Sequence, residues 1–373
     1  MALSVEFWSS VELGAFGRGL MRALGGLGIA AQHRFEVTEA EYRGAKSEAA
    51  RAAVRWRSYV SYPVRLARRL RRADVPDIVV VCTNTFYAPT LAVWAARGVP
   101  VVNWVFDLFP DVLVESEKLR DGGVLEGRLA ALARATFRRA AANVFLGEHL
   151  RQFAEQRYGA SARSLVIPIG ADGAAIDAPP PSARDLGAPT RLLYCGNLGH
   201  MHDIETVLPL VREPGPPGWT LEFRGHGTGF RRLSALAARE GANPRVAFEG
   251  SLPDDEWARV MRAADVALVT MKPRAESLVM PSKTYSAMMA GQAVLAVCAP
   301  ASDLAETVAA ADAGWVVPPG DTGALRTIVE RLATRPDEVL DKRRNAYQAA
   351  RRHYDQPVLA ARWAELLGGL RGT

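Results

Sequence analysis

The chain has 373 residues and is poor in cysteine, with Cys82, Cys195 and Cys298 far apart. Each lies in an apolar run, so we expect buried thiols of a reducing compartment, with no disulfide framework and no metal site. Long apolar runs are also absent: Glu6 and Glu12 interrupt the start, and no later stretch is long enough to cross a bilayer. These absences predict a cytoplasmic protein without a signal peptide or a membrane span.

Acidic residues are absent from one segment, Arg51–Arg72, which contains eight arginines. The formal net charge is +6, so the rest of the chain is slightly acidic. An apolar stripe at helical spacing runs through this segment, around a helix break expected at Pro63, and consists of Trp56, Tyr59, Val60, Leu66 and Leu70. The pattern fits a helix on the anionic inner face of the plasma membrane, and it fits an ordinary amphipathic surface helix equally well. It does not fit nucleic acid binding, since the aromatic residues form no spaced platform.

Short apolar runs alternate with longer helical stretches along most of the chain, which is typical of parallel sheets covered by crossover helices. A Pro-, Ala- and Gly-rich segment without periodicity separates two sets of runs. The fold class predicted is α/β, with two Rossmann-like domains whose parallel sheets face each other across a cleft. The predicted bounds are 1–172 for the first domain, 173–190 for the linker, 191–356 for the second domain and 357–373 for a C-terminal helix.

Residues that follow the apolar runs are the candidates for chemistry, because ligands of parallel sheets bind outside the carboxyl ends of the strands. After the run RLLYCGN, a turn with Gly196, Asn197 and Gly199 leads into a helix expected to begin near Asp203. Such a turn lets a diphosphate approach the backbone. Many turns of this kind carry glycine for steric reasons alone, so this motif leaves both interpretations open.

A second motif, PSKTYSAMMAGQAVLAV, carries more information. Pro281 and Ser282 predict the start of a helix, and serine can cap exposed N–H groups there. Lys283 adds an ammonium group beside the positive end of that helix. These groups predict an anion site.

Four segments in this order resemble glycosyltransferase family 4: DLFPDVLVESEKLRDGG, GNLGHMHDIETVL, VAFEGSLPDDEWARVMRAADVALVTM and PSKTYSAMMAGQAVLAV. The nearest branch resembles the bacterial fucosamine-transferase-like enzymes of cell-surface polysaccharide assembly. The resemblance extends over most of the chain from about Asp77. It implies a GT-B fold, retention of configuration at the anomeric carbon, and no metal or cofactor, with a UDP-, GDP- or TDP-sugar as the donor.

The resemblance also implies roles for residues on the donor side. Lys283 is expected to act in catalysis at the diphosphate, and Glu276 to accept hydrogen bonds from hydroxyls of the donor sugar, the alternative being a solvated loop residue. The predicted donor-binding set is Gly196, Asn197, Leu198, His202, Gly225, Pro281, Ser282, Lys283 and Ser286.

Two departures from the family pattern stand out on this side. Ser286 replaces a glutamate that holds the ribose in many members, which leaves the nucleotide open. The usual Arg and Lys of the glycine-turn helix are missing, and His200 and His202 stand near their place. An imidazole N–H can donate to phosphate, and we favour His202 for this role.

On the acceptor side, VFDLFPD places Asp107 and Asp111 directly after an apolar run. The resemblance assigns Asp107 to the acceptor, where a carboxylate can take the proton of a hydroxyl group. A helix cap before Pro110 explains Asp107 equally well. Other acceptor-side candidates are Asn84, Thr85, Asp111 and His149.

The sequence therefore predicts a glycosyltransferase in which the leaving diphosphate is stabilised by Lys283 and the neighbouring helix start. Its predicted partners are a nucleotide sugar and a hydroxyl acceptor, which would be polyprenyl-linked if the basic segment lies on a membrane. The alternatives are a nucleotide-sugar 2-epimerase and a non-catalytic partner in glycan assembly.

Overall fold

The computed structural model of the chain describes residues 2–45, 47–159, 163–182, 188–213, 217–241 and 243–371. Part of the predicted linker, residues 183–187, lies outside the described residues. The chain forms two compact units, one of Met1–Ile169 with Gln356–Thr373 and the other of Gly170–Asp355. The chain passes from the first unit to the second between Ile169 and Gly170, and back to the first between Asp355 and Gln356.

Unit 1 is a parallel six-stranded sheet of order β2-β1-β3-β4-β5-β6 with connecting helices. In chain order its elements are β1 (Ser4–Trp8), α1 (Gly14–Gly26), β2 (Ala30–Arg34), α2 (Glu39–Gly44), α3 (Glu48–Trp56), a π-helical turn (Arg57–Ser61), α4 (Tyr62–Arg69), β3 (Ile78–Cys82), α5 (Ala88–Ala95), β4 (Val101–Val105), α6 (Asp111–Glu115), α7 (Val124–Arg139), β5 (Ala142–Phe145), α8 (Glu148–Tyr158) and β6 (Ser164–Val166).

Unit 2 is a second parallel six-stranded sheet, of order β12-β11-β10-β7-β8-β9. Its elements are α9 (Gly173–Ile176), β7 (Thr190–Asn197), α10 (Leu208–Arg212), β8 (Trp219–His226), α11 (Thr228–Glu240), β9 (Val246–Glu249), α12 (Asp254–Ala263), β10 (Val266–Thr270), a 3-10 turn (Ala275–Ser277), α13 (Lys283–Met289), β11 (Ala293–Val297), α14 (Asp303–Ala310), β12 (Gly314–Val317), α15 (Thr322–Thr334), α16 (Pro336–Ala349) and a π-helical turn (Ala350–Tyr354). The chain then returns to unit 1 as α17 (Gln356–Leu370).

The predicted fold class is confirmed: both sheets are parallel, and helices alternate with strands. Strands with five consecutive buried residues, such as β3, β4, β10 and β11, account for the unbroken apolar runs in the sequence. Each sheet must therefore bury both faces under helices, as crossover connections require.

The first strand, β1, carries a charge in its middle and was not among the apolar runs. Glu6 is 4% exposed. Its carboxylate accepts hydrogen bonds from Trp8 Nε1 at 3.0 Å, Arg69 Nε at 3.0 Å and Arg34 at 3.2 Å. A buried carboxylate is tolerated when it is paired and hydrogen-bonded in this way. Glu6 thus belongs to a central strand of the sheet.

The arginine-rich segment differs from its expected form at Pro63. No helix break occurs there, because the π-helical turn Arg57–Ser61 rearranges the backbone hydrogen bonds just before Pro63, which sits in the first turn of α4. The apolar stripe is divided by the fold. Leu66 and Leu70 are buried in the core, whereas the large apolar residues left 40% to 60% exposed on this segment are Trp56, Tyr59, Val60 and Val64.

Helix α17 packs on unit 1 through a buried indole. Trp363 is 1% exposed, and its ring lies 5.4 Å from that of Phe7 and 5.0 Å from that of Trp104 in edge-to-face contacts. Near the end of the helix, Arg163 donates a hydrogen bond to the carbonyl of Gly369 at 2.9 Å. The last helix of the chain, α17, thereby packs against the sheet of unit 1, which contains β1.

We predict that Trp363→Ala lowers the free energy of unfolding of unit 1 by roughly 3–5 kcal/mol, because it removes a large buried side chain and leaves a cavity. Urea titration followed by tryptophan fluorescence and far-ultraviolet circular dichroism measures this change. Val358→Ala, on the exposed face of the same helix, is the control and should change stability by less than about 0.5 kcal/mol. Equal effects of both changes would contradict the packing described for α17.

Candidate functional site

The ends of β7 and β8 come unusually close to each other. Gly196 pairs with Gly225, and both have positive φ, of 121° and 153°. A Cβ atom on Gly225 would lie 1.9 Å from the carbonyl oxygen of Gly196, so no side chain fits there. The pairing of β7 with β8 therefore requires glycine at position 225, whether or not a ligand binds there.

Leu198 and Asn197 complete this turn in different ways. Leu198 is buried in the core, its N–H donates to His226 O at 2.7 Å, and its carbonyl accepts from Gly229 N at 2.9 Å. Both backbone groups of Leu198 are thus already occupied within the fold. The carbonyl of Asn197 instead accepts hydrogen bonds from two side chains, the hydroxyl of Tyr194 and the ammonium of Lys283. These hydrogen bonds hold Lys283 at the turn.

Lys283 is held beside the turn by Tyr194 and Asn197. Its ammonium donates to the hydroxyl of Tyr194 and, at 3.1 Å, to the carbonyl of Asn197. The nitrogen also lies 4.0 Å from the centre of the Tyr194 ring, in a cation–π contact. The Tyr194 hydroxyl in turn donates to Asn197 O at 2.9 Å. Sequence reasoning missed Tyr194, because a tyrosine within the apolar run RLLYCGN reads as a core residue.

The charge on Lys283 is stabilised weakly by the protein. Burial lowers the pKa of its ammonium group from the usual 10.5 to about 7. Within the described residues, no carboxylate forms an ion pair with it. The site is therefore an ammonium group poised near its titration point, and an anion placed beside it would raise its pKa.

The ring of His202 makes an edge-to-face contact with Tyr194, and its imidazole is neutral. Its Nδ1 lies 2.6 Å from Thr270 O, and since a carbonyl oxygen only accepts, Nδ1 carries the proton. Burial, and then the charge of Lys283, lower the pKa of His202 to about 3. A neutral imidazole that already donates its one N–H to Thr270 has none left for a phosphate. His202 therefore offers an acceptor, Nε2, where the sequence suggested a donor.

The helix predicted to start at Pro281 and Ser282 is short. Helix α13 begins at Lys283 and has seven residues, and Ser282 precedes it without capping it through its side chain. Pro281 lies just before, and Ser286 sits one turn into the helix. We conclude that the ammonium group, rather than the short helix, is the main positive charge at this place.

Glu276 lies in the 3-10 turn between β10 and α13. One of its carboxylate oxygens, Oε2, is fully buried and has no hydrogen-bond partner among the described residues. Arg274, two residues before Glu276, adopts a positive φ of 72°. A buried carboxylate oxygen without a partner costs free energy, so such an atom is a candidate to receive hydroxyl donors from a ligand.

On unit 1, the loops that follow β3 and β4 are tied together around Asp107. Thr83 Oγ1 donates to the carbonyl of Asp107 at 2.9 Å and accepts from the N–H of Asp107 at 3.1 Å. The carboxylate of Asp107 makes no hydrogen bond or ion pair to another described residue. Burial raises its pKa to about 6. A carboxylate without a partner among the described residues and with a pKa near neutrality is a candidate proton acceptor.

The other predicted acceptor-side residues have partners within unit 1. Asn84 Oδ1 accepts from Ser10 N at 3.3 Å, and Thr85, which is fully buried, donates to Ser58 O at 3.0 Å. The carboxylate of Asp111 pairs with Arg157 Nε at 2.5 Å and accepts from the hydroxyl of Tyr158. His149 lies in the first turn of α8. Asn84, Thr85 and Asp111 thus make hydrogen bonds or ion pairs that stabilise the loops of unit 1. The carboxylate of Asp107 makes no such contact with a described residue.

The predicted site residues accordingly fall into three groups. The fold gathers one group around the glycine turn: Gly196, Asn197, Leu198, His202, Gly225 and Lys283. A second group, Glu276, Pro281, Ser282 and Ser286, lies on the connection from β10 to α13. The third group belongs to unit 1. Within the described residues, no cluster of three or more metal-ligating side chains is present.

Comparison with known sequences agrees with this arrangement. Residues 189–335 match the family model of glycosyl transferases group 1. The probable glycosyltransferase WbjE of Pseudomonas aeruginosa is 26% identical, over 73% of this chain and 69% of its own length. The 2-deoxystreptamine glucosyltransferase of Streptomyces kanamyceticus is 29% identical, over 57% of this chain and 56% of its own length.

Solved structures show the fold. Anabaena Alr3699/HepE, solved with UDP-glucose, is 17% identical and has a TM-score of 0.70, with 98% of this chain and 100% of that chain covered. WaaG, a glycosyltransferase involved in lipopolysaccharide biosynthesis, is 17% identical with a TM-score of 0.65 and the same coverage. The fold is therefore that of the GT-B glycosyltransferases. Within that fold, residues 189–335 are similar to the glycosyl transferases group 1.

We predict that Lys283 titrates near neutral pH. The chain has five lysines, so labelling their ε-carbons with 13C gives a simple spectrum. One signal should titrate near pH 7 and disappear in Lys283→Met, while Lys272→Arg, a change at an exposed neighbour, should leave it in place. Inorganic pyrophosphate should move this titration to higher pH, because an anion favours the ammonium form. Affinity for pyrophosphate should then fall as the pH rises above about 7. A Lys283 signal that titrates near the ordinary pKa of lysine would contradict the desolvation described.

Proposed function

We propose that this protein transfers a sugar, with retention of configuration, from a nucleoside diphosphate sugar bound by unit 2 to a hydroxyl group of an acceptor. The observation that carries the proposal is the ammonium of Lys283 beside the Gly196 turn, which has no carboxylate partner among the described residues. The resemblance to glycosyltransferase family 4 supports retention, and its fucosamine-transferase-like branch supports a role in cell-surface polysaccharide assembly.

In this proposal Lys283 receives the diphosphate of the donor. Beside Gly196, a Cβ atom would meet only the end of the Lys283 side chain, with Nζ at 4.0 Å, so a phosphate oxygen could approach the backbone and the ammonium together. The ammonium group neutralises the charge that grows on the β-phosphate as the bond to the sugar breaks. Such a fixed charge in a poorly solvated place stabilises the transition state by several kcal/mol. No metal ion enters the proposal, since Lys283 supplies the positive charge that a leaving diphosphate needs. Ser282 and Ser286 are proposed to donate hydroxyl hydrogen bonds to the same nucleotide.

Glu276 is proposed to bind the donor sugar. Its buried Oε2 has no hydrogen-bond partner in the described part of the chain, and two hydroxyl groups of a sugar would satisfy it. A carboxylate that holds two hydroxyls fixes the orientation of the anomeric carbon and selects among sugars. His202 is proposed to accept a further hydrogen bond at Nε2.

Asp107 is proposed to take the proton of the acceptor hydroxyl. Its raised pKa of about 6 suits a base that must bind a proton during the reaction and release it afterwards. The nucleotide is expected to be a uridine diphosphate in the first instance, because Anabaena Alr3699/HepE was solved with UDP and with UDP-glucose.

The experiment that tests the donor site compares two variants after a screen of thermal stabilisation by UDP, GDP and TDP. A ligand at a hundred times its dissociation constant adds about 2.7 kcal/mol. Lys283→Ala should lose the stabilisation and cut turnover by about 10²–10³-fold, whereas Glu276→Gln should keep binding of the free nucleotide and lose affinity for the nucleotide sugar. Lys272→Ala removes an exposed lysine and is the control. Normal turnover in Lys283→Ala would refute the proposed role of this residue.

The arginine-rich segment is proposed to bind the protein to the anionic inner face of the plasma membrane. No helix of the described residues is long and apolar enough to cross a bilayer. Of the eight arginines, Arg57, Arg65 and Arg69 pair with acids of other elements. The five that remain exposed and without an ion pair to a described residue are Arg51, Arg55, Arg68, Arg71 and Arg72. Arg51, Arg55 and Arg68 lie on the same helical segment as the exposed Trp56, and Arg71 and Arg72 follow directly after it. An acceptor carried by a polyprenyl lipid would be reached there.

We predict that changing Arg51, Arg55 and Arg68 to glutamate together weakens binding to vesicles of phosphatidylglycerol and phosphatidylcholine on the order of 100-fold. Each arginine near anionic headgroups contributes about 1 kcal/mol. Vesicle sedimentation measures the change. The matched control is the same charge reversal at three exposed arginines of α7, namely Arg128, Arg134 and Arg138. Equal loss in both variants would mean that only net charge matters, and no binding by the unchanged protein would refute the membrane proposal.

A further inference from the structure

Tyr194 lies inside unit 2 but ends in a hydroxyl group at the Gly196 turn. The side chain is 0% exposed, and its ring packs 5.8 Å from that of Phe223, which in turn stacks on Phe248 at 4.9 Å. A phenylalanine would fill the same space in β7. The hydroxyl is therefore the part of this side chain that core packing does not explain.

The single hydrogen of this hydroxyl is already used. Tyr194 Oη donates it to the carbonyl of Asn197 at 2.9 Å, and a carbonyl oxygen can only accept. The phenol oxygen is therefore left as an acceptor, and it accepts from the ammonium of Lys283. Because Tyr194 is fully buried and has no hydrogen left to donate, its effect on a ligand has to pass through Lys283.

The ammonium group of Lys283 has three N–H groups, and the protein uses two of them. One donates to Tyr194 Oη and one to Asn197 O, at 3.1 Å. Within the described ranges, no further acceptor is hydrogen-bonded to this nitrogen. The side towards Gly196 is uncovered, since a Cβ atom on that glycine would lie 4.0 Å from Nζ. One N–H of the ammonium thus remains for a ligand.

We propose that Tyr194 is a positioning residue of the donor site, whose hydroxyl holds the nitrogen of Lys283 so that the third N–H of the ammonium is presented to a phosphate oxygen. This inference rests on the proposed binding of the donor diphosphate at Lys283 and names the residue that directs it. Without Tyr194 Oη, the ammonium would keep one fixed acceptor and could turn about its Cε–Nζ bond.

The same geometry makes the site sensitive to one proton. A neutral amine has two N–H groups and a lone pair. If Tyr194 and Asn197 keep the two N–H groups, the lone pair replaces the third N–H, and it repels a phosphate oxygen. The proton that Lys283 gains or loses is then the one that faces the ligand, so the site binds an anion only in the ammonium form.

The charge state of Lys283 depends on its burial and on neighbouring titratable groups. Burial lowers the pKa of its ammonium group to about 7, and Cys195 opposes this shift. The charge of Lys283 is in turn the second cause, after burial, that lowers the pKa of His202. On elements packed against α13, Arg343 and Arg351 each form an ion pair with an aspartate. The hydroxyl of Tyr194 differs from these groups because it accepts a hydrogen bond from the nitrogen itself.

The test compares two variants that each lose one phenol hydroxyl from unit 2. Tyr194→Phe keeps the ring and removes the hydroxyl at Lys283. Tyr347→Phe is the matched control, because Tyr347 Oη donates to the carbonyl of Ala178 at 3.0 Å, just as Tyr194 Oη donates to Asn197 O. Isothermal titration calorimetry measures the affinity for inorganic pyrophosphate from pH 5.5 to pH 8, and thermal unfolding checks that each variant folds.

We predict that Tyr194→Phe weakens pyrophosphate binding about fivefold at pH 7 and less than about twofold at pH 5.5, relative to the unchanged protein at the same pH. The hydroxyl stabilises the ammonium form, so its loss favours the amine and moves the 13C titration of Lys283 to lower pH by about one unit. At pH 5.5 the ammonium form predominates in both proteins, which explains the smaller deficit. Tyr347→Phe should change neither measurement.

A double-mutant cycle separates positioning from packing. In Lys283→Met there is no ammonium left to position, so adding Tyr194→Phe should change the remaining affinity by less than about twofold. A further loss of affinity in this background would mean that Tyr194 acts on the ligand by another route, and it would overturn the inference.

Two other results would also overturn it. One is an affinity and a Lys283 titration that Tyr194→Phe leaves unchanged. The other is a loss of affinity in Tyr194→Phe that is the same at every pH or is matched by Tyr347→Phe. Pyrophosphate that binds Lys283→Met as tightly as the unchanged protein is a different result, because it refutes the donor site at Lys283 on which this inference depends.

Discussion

The ammonium of Lys283 has to stay beside the glycine turn without being neutralised by the protein. A carboxylate partner would hold it more firmly, but an incoming anion would then have to displace a strong charge-assisted hydrogen bond. The ring of Tyr194 and the carbonyl of Asn197 hold the nitrogen in place with weaker contacts. The poorly solvated surroundings lower its pKa and at the same time strengthen its attraction for an anion. A side chain on Gly196 would grow towards the Lys283 nitrogen, since a Cβ atom there would lie 4.0 Å from it, so glycine leaves this side of the ammonium uncovered.

Unit 1 treats two nearby carboxylates in opposite ways. Asp111 is enclosed by Arg157 and Tyr158, so it stabilises the loop after β4 and helps to place α6 against α8. Asp107, four residues earlier, has no hydrogen bond or ion pair at its carboxylate within the described ranges, and burial raises its pKa to about 6. Folded proteins normally pair buried carboxylates. Asp107 is only half-buried and keeps its capacity to accept hydrogen bonds, which makes it a candidate for contact with a ligand.

Several parts of the fold and the site could be predicted from the sequence, and the failures have physical causes. Buried parallel strands need unbroken apolar runs, so β3 and β10 were evident, whereas β1 was hidden by Glu6, whose charge is tolerated only because Arg34 and Arg69 come from elsewhere in the chain. Pro63 normally predicts a break, but a π-helical turn accommodates it. The sequence analysis brought Lys283 and the glycine turn into one candidate site, yet it missed Tyr194, whose polar tip cannot be recognised within an apolar run.

By itself, the sequence determined what depends on local order: the alternation of strands and helices, the glycines that the end of β7 requires, and the local excess of arginine. These features follow from the period of apolar residues and from the conformational freedom of glycine. Both depend only on residues that are close together in the chain. Tertiary structure alone decided which charges are paired and which are left open. It decided that His202 is a neutral acceptor and that three arginines pair with distant acids. It also decided that Glu276 has a buried oxygen with no hydrogen-bond partner among the described residues. Burial and pairing are set by residues far apart in the chain, so no local pattern could have revealed them.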